Sequence, residues 1–308
     1  MENTAFVFPG QGSQALGMLA ELAESQPIIG ETFAQASNVL GYDLWELVQQ
    51  GPVEALNQTD KTQPALLAAS VAIYRAYVAS GKSLPRVMAG HSLGEYSALV
   101  CAGVMGFEAA IKLVELRGQL MQQAVPAGTG AMFAIIGLDN DAIATACAEA
   151  AQGEVVSPVN YNSPGQVVIA GEKAAVERAA AICKENGAKM AVALPVSVPS
   201  HCQLMKPAAD KLAIALIDIE FSVPSVKVIN NVDVASPNAA QEIKAALVRQ
   251  LYCPVRWAET VELMAAQGIT DLFEIGPGKV LTGLSKRINR SLTAKAINDV
   301  ASFAALTE

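Results

Sequence analysis

Histidine is nearly absent from this chain: 308 residues carry only His91 and His201. Any chemistry that needs an imidazole base therefore has two candidates. Charge is scarce as well, at 16% of residues, and 21 Lys and Arg against 29 Asp and Glu leave a net charge of −8. An acidic chain without a basic run excludes the electrostatic footprint of a nucleic-acid or anionic-membrane binder. The five cysteines, at 101, 147, 183, 202 and 253, are odd in number and form no C-x-x-C. They read as reduced core thiols rather than a disulfide framework or a zinc site. The longest uncharged stretch, 118–138, is 21 residues long but holds three glutamines, a proline and four glycines. It is not an apolar span, and no membrane segment is expected. Met1-Glu2-Asn3-Thr4 offers no basic n-region, so no signal peptide is expected and the location is read as cytoplasmic.

What the chain has in quantity is apolar material, 52% of residues, which rules out a disordered protein and supplies a large core. The length suggests about two domains. Short apolar runs at Ala5–Phe8 and Val87–Ala89 read as strands, each followed by a glycine-bearing turn. Helical periodicity follows at Pro64–Val78, Glu95–Ala102 and Phe107–Ala124. Such alternation predicts an α/β fold, hydrolase-like, with a mostly parallel sheet. Residues 129–196 differ. They read as strand 131–136, helix 139–151, strand 155–161, turn 162–165, strand 166–170, helix 172–186 and strand 190–194. That order is β-α-β-β-α-β, a ferredoxin-like unit. The expected division is a large catalytic part, 1–127 and 197–308, interrupted by a small inserted subdomain, 128–196, with a ligand in the cleft between them.

Gly90-His91-Ser92-Leu93-Gly94 fits G-x-S-x-G and lies between a predicted strand and a predicted helix, where a nucleophile elbow must lie. Flanking glycines permit the sharp turn, and the helix N-terminus offers free N–H groups to a developing oxyanion. An ordinary strand-to-helix loop would carry the same residues. A serine needs a base. His91 is adjacent, and on a tight elbow its side chain should diverge from that of Ser92. His201, in the segment that follows the inserted unit, is the base by elimination, whereas His91 reads as a packed or capping residue that supports the elbow. Arg117 falls on the apolar stripe of its helix with Leu113, Val114, Leu120 and Met121. A buried guanidinium needs a partner. Spacing alone leaves open a snorkelling side chain, an internal carboxylate partner, or a site for a substrate carboxylate.

Together these blocks resemble the malonyl-CoA–acyl carrier protein transacylases of bacterial fatty-acid synthesis, over essentially the whole chain. The resemblance rests on Phe8 to Gln14, Thr62 to Ala65, Gly90 to Glu95, Arg117, Asn160 to Gly165, Val196 to His201, Asn230 to Val232, Gln250 to Trp257 and Glu274 to Gly278. It implies Ser92 as the acylated nucleophile, His201 as its base and the Gln250 backbone carbonyl as the group that orients His201. It implies an oxyanion hole of the Gln11 and Leu93 N–H groups, and Arg117 on the malonyl carboxylate. Met121, Met132, Ser197 and Val198 would line the acyl pocket, with Asn160 and Asn162 near coenzyme A; plain core packing and turn formation are the alternatives for these residues. Lys189 and Lys184 are candidates for CoA phosphates or the acidic carrier. The resemblance further implies malonyl-CoA and acyl carrier protein as partners, no cofactor, no metal and a monomer. Two other classes remain open on sequence: an esterase or thioesterase using the same elbow, and a non-catalytic carrier-binding module. The position of His201, two-thirds along the chain, disfavours the first.

Overall fold

A computed structural model describes residues 2–196 and 198–307. Its larger sheet contains β1 (Thr4–Phe8), β2 (Val87–Gly90), β7 (Lys227–Ile229), β8 (Asp271–Ile275) and β9 (Thr293–Ile297), in the spatial order β7-β2-β1-β8-β9. All four pairings are parallel. The strands read as continuous apolar runs because both faces are covered. Phe6, Phe8 and Met88 enter one core, while Ala5, Val7, Val87 and Ala89 enter the other, as the two-residue period of a strand requires. The chain starts in the middle at β1, adds β2 and β7 on one side, and returns to add β8 and β9 on the other. The switch point is therefore at β1. Ligands of open α/β sheets bind outside the carboxyl ends of the strands at such a point. The loops that leave β1 and β2 there carry Gln11 and Ser92.

The second sheet holds β3 (Gly130–Ile136), β4 (Val156–Ser163), β5 (Gln166–Glu172) and β6 (Met190–Ala193), in the order β4-β5-β3-β6 and antiparallel. With helices Asn140–Ala151 and Lys173–Glu185 this is the ferredoxin-like arrangement. Ile135, Val167 and Ile169 pack beneath those two helices. The opposite face, with Met132, Ala134, Val168 and Ala170, packs on Cys202 of the larger part. Strand alternation thus sends Met132 to the inter-sheet side. The Val255 N–H donates to the Val159 carbonyl at 2.8 Å and the Tyr161 N–H to the Val255 carbonyl at 3.0 Å, so β4 is stitched directly to the larger part.

Most boundaries lie within two residues of expectation, and two of the differences have a clear physical reason. β4 continues through Asn162 and Ser163, which the sequence reading gave to a turn; the turn itself is Pro164-Gly165, with Gly165 at φ 70°. Irregular register between Pro158 and Asn160 and between Tyr161 and Ser163 disguises the strand, because bulges break the two-residue alternation. The helix expected from Pro64 begins at Thr59 and runs to Ala79. Pro64 sits inside it, forgoing one backbone hydrogen bond near the N-terminal end. No helix among the described residues is long and apolar enough to cross a membrane.

Candidate active site

β2 ends at Gly90 and the next helix, Leu93–Cys101, begins three residues later. Ser92 makes the bend with φ 52° and ψ −109°, a conformation that costs a non-glycine residue ~1–3 kcal/mol. The glycines serve close approach instead of unusual torsion angles. A Cβ on Gly90 would lie 1.8 Å from the Gly94 carbonyl carbon, and one on Gly94 would lie 1.9 Å from the Phe8 oxygen. A Cβ on Gly10 would lie 2.5 Å from the His91 oxygen. The helix is therefore pressed against β1 and β2, and the Gln11 loop against the elbow. The N–H groups of Gln11 and Leu93 have no hydrogen-bond partner among the described residues, and both residues line one cavity with Ser92.

Ser92 Oγ lies 2.9 Å from His201 Nε2. His201 Nδ1 lies 2.6 Å from the Gln250 backbone carbonyl. A carbonyl can only accept, so Nδ1 carries the proton and Nε2 presents its lone pair to the serine hydroxyl. Burial, then the nearby Arg117 charge, pushes the His201 pKa down to about 3. The imidazole is consequently neutral at pH 7. His201 itself adopts φ 66°, so both members of the pair sit in strained backbone. His91 turns away: its Nε2 meets Asn162 Oδ1 at 2.8 Å and its ring tilts against Trp257 at 5.6 Å. It braces the elbow against β4.

Arg117 is 1% exposed and follows neither internal alternative left open above. It does not snorkel, and among the described residues no carboxylate pairs with it. Its Nη1 donates to Gln63 Oε1 at 2.9 Å, and its Nη2 to Gln250 Oε1 at 3.0 Å and to Ser92 Oγ at 3.3 Å. Its Nε is buried without a partner among the described residues. A fully desolvated guanidinium surrounded by neutral acceptors is short of a counter-ion.

Sequence reading overlooked the support beneath the elbow. Asn231 Oδ1 accepts the Ser92 N–H at 2.7 Å, and Asn231 Nδ2 donates to the Gly90 carbonyl at 2.6 Å. Glu95 Oε2 accepts from the Asn231 N–H and from Gln250 Nε2, each at 2.9 Å. Glu95 is 2% exposed. Burial pushes its pKa up to about 7, with Asn231, Gln250 and Arg117 pulling it back toward the ordinary range. Gln250 therefore acts twice, through its carbonyl on His201 and through its side chain on Arg117. Gln63, Glu95 and Asn231 lay within the motif blocks, but no spacing rule marks which polar residue of a block points inward.

These groups meet in a cavity of about 110 Å³. Of the expected site residues it is lined by Gln11, Ser92, Leu93, Arg117, Met121, Met132, Asn160, Val198 and His201. Asn160 Oδ1 is buried without a partner among the described residues. Gln250 stands behind His201. Asn162 is engaged with His91. Ser197 lies outside the described residues. Lys189 is exposed and borders a separate groove of about 530 Å³ with Gln166 and Arg287, while Lys184 is exposed on the Lys173–Glu185 helix.

An elbow serine beside a neutral imidazole, with two N–H groups that have no partner among the described residues lining the same cavity, is an arrangement that can carry serine acyl transfer. The model of the acyl transferase domain matches residues 5–305. The malonyl CoA-acyl carrier protein transacylase of Haemophilus influenzae is 68% identical over 309 residues, 100% of this chain and 99% of that protein. Its Escherichia coli counterpart is 65% identical over the full length of both. A crystal structure of an acyl carrier protein S-malonyltransferase from Vibrio cholerae superimposes with TM-score 0.98 at 69% identity, covering 99% of this chain and 100% of the other. A type II polyketide acyl carrier protein complex with its malonyl-transacylase matches with TM-score 0.99 at 66% identity, over 100% and 99% of the two chains. The chain belongs to the acyl transferase family, among its malonyl CoA–acyl carrier protein transacylases.

Proposed function

We propose that this protein transfers a malonyl group from coenzyme A to the phosphopantetheine thiol of acyl carrier protein through a malonyl-Ser92 intermediate, supplying fatty-acid synthesis. The observation that carries the reading is the convergence of Ser92, neutral His201 and the unpaired charge of Arg117 in one small cavity. His201 Nε2 takes the hydroxyl proton as Ser92 Oγ attacks the thioester carbonyl carbon. The Gln11 and Leu93 N–H groups hold the oxyanion; losing one such donor raises the barrier by ~3–4 kcal/mol. The C–S bond then breaks, and the CoA sulfur leaves with the proton from His201. In the second half the carrier's thiol gives its proton to His201 and attacks the malonyl ester, and Ser92 recovers a proton from His201 as the C–O bond breaks. Arg117 holds the malonyl carboxylate, with Met121, Met132 and Val198 around the acyl chain. Asn160 faces the coenzyme arm, and Asn162 reaches it only through His91. The exposed Lys189 and Lys184, with Arg287, suit phosphate groups or an acidic carrier. Thioesters of coenzyme A and phosphopantetheine are the substrates, and no cofactor enters. Residues 128–196 act as a subdomain that roofs the pocket of the larger part, and one chain holds the whole site.

Intact-mass measurement after exposure to malonyl-CoA tests the reading. A malonyl adduct is expected on the native protein and none on Ser92→Ala. An adduct that survives this substitution, or none on the native protein, refutes it. Rapid release of free malonate without transfer to a carrier thiol indicates a thioesterase instead.

A further inference from the structure

Arg117 lacks a direct counter-ion, yet one acid stands a single amide away. Glu95 Oε2 holds Gln250 Nε2 at 2.9 Å, and Gln250 Oε1 holds Arg117 Nη2 at 3.0 Å. The Gln250 amide cannot turn over. Its Nε2 also faces the Ser92 carbonyl at 3.1 Å and Asn231 Oδ1 at 3.3 Å, and a reversed amide would set its oxygen against three acceptors and its NH2 against a guanidinium. The bridge is thus oriented as a dipole between a carboxylate and a cation, all of it buried. We propose that Glu95 is a specificity-determining residue: it is the standing counter-charge of Arg117, and it sets how tightly the arginine holds an acyl carboxylate. The proposal rests on the malonyl-transfer reading above.

The physical consequence is a competition. An ionised acyl carboxylate on Arg117 leaves two negative charges sharing one positive charge in a desolvated site. The cost is removed when Glu95 binds a proton from solvent as the substrate enters. The other charged or titratable groups near Glu95 stay constant in this window. His201 is neutral and Tyr96 is pushed far up by burial. Asp233 is anionic, held by Arg249 at the surface. Capture of a carboxylate-bearing acyl group therefore weakens as pH rises through the range in which Glu95 ionises, while capture of an uncharged acyl group does not. A counter-charge of this kind keeps the malonyl group from being held so tightly that it cannot be passed on.

The test is calorimetry of malonyl-CoA binding to Ser92→Ala, where no transfer can occur, in buffers of different ionisation enthalpy. Acetyl-CoA, with identical phosphates, is the baseline. Net proton uptake is expected with malonyl-CoA above that baseline near pH 7.5, and none in Ser92→Ala combined with Glu95→Gln. The doubly substituted protein should bind malonyl-CoA about tenfold more tightly than Ser92→Ala at pH 8, one unit of pKa coupling. No uptake, or uptake that persists in Glu95→Gln, overturns the proposal. Malonyl-CoA binding no better than acetyl-CoA overturns the functional reading and the proposal with it. Should Glu95→Gln not fold, the native enzyme decides: its malonyl-to-acetyl ratio of kcat/KM should fall about tenfold between pH 6 and 8.5, and a flat ratio refutes the idea.

Discussion

Removing the guanidinium of Arg117 is the perturbation with the clearest magnitude. In Arg117→Ala the cavity loses its positive charge while Ser92 and His201 keep their 2.9 Å contact. A charge-assisted pair with a carboxylate contributes ~1.5–3 kcal/mol, and each 1.4 kcal/mol is a factor of ten. Malonyl transfer should therefore fall by roughly 10- to 150-fold in kcat/KM. Full burial of Arg117 favours the upper end, and the Glu95 carboxylate one amide away moves the value toward the lower end as pH rises. Acetyl transfer has no carboxylate to lose and should hold or rise. Stability changes in opposed ways, and Glu95 loses the counter-charge it meets through the Gln250 amide. Two buried acceptors, Gln63 Oε1 and Gln250 Oε1, lose their donor at ~1–3 kcal/mol each, but an unpaired buried charge also disappears. A thermal melt separates this effect from the kinetic one. The assay is transfer of both acyl groups from CoA to a carrier thiol under identical conditions. An unchanged malonyl-to-acetyl preference in a folded Arg117→Ala protein would refute the reasoning and leave Arg117 a structural residue.

Two further outcomes follow from the same geometry. Gly90→Ala places a Cβ 1.8 Å from backbone carbon, which no rotamer relieves. Its cost should exceed the ~1–3 kcal/mol of ordinary overpacking, read as a large loss of thermal midpoint or of soluble protein; a midpoint near the native value would contradict it. His201, held down at about 3 by burial and Arg117, loses its lone pair only when the pH falls to that region. Single-turnover acylation of Ser92 at saturating malonyl-CoA should hold its rate from pH 7 down to about 5. An inflection near 6.5 would show that His201 titrates as an ordinary exposed histidine.

Much of this site was legible in the sequence because chemistry and scarcity coincide. With two histidines in the chain, the elbow at Ser92 and the position of His201 after the inserted unit left one base. Strand alternation and glycine placement also predicted the parallel sheet and the ferredoxin-like unit, since apolar period and turn residues are local properties. The strand end at Ser163 was hidden because a bulged strand loses its alternation. Helical spacing put Arg117 on a buried face but could not say what it meets there.

What the tertiary structure decided is which groups converge. The Gln250 side chain, Asn231 and Gln63 are ordinary polar residues until the turn after β7 and the helices Thr59–Ala79 and Ala240–Gln250 bring them to one point. There the Gln250 carbonyl fixes the tautomer of His201 while its amide bridges Arg117 to Glu95. The shifts of His201 and Glu95 arise from burial and from neighbours distant in sequence. Residue type and local spacing marked Ser92 as the candidate nucleophile, and the scarcity of histidine marked His201 as the candidate base. Desolvation and long-range hydrogen bonding, which exist only once the chain is packed, determined the charge state in which they work.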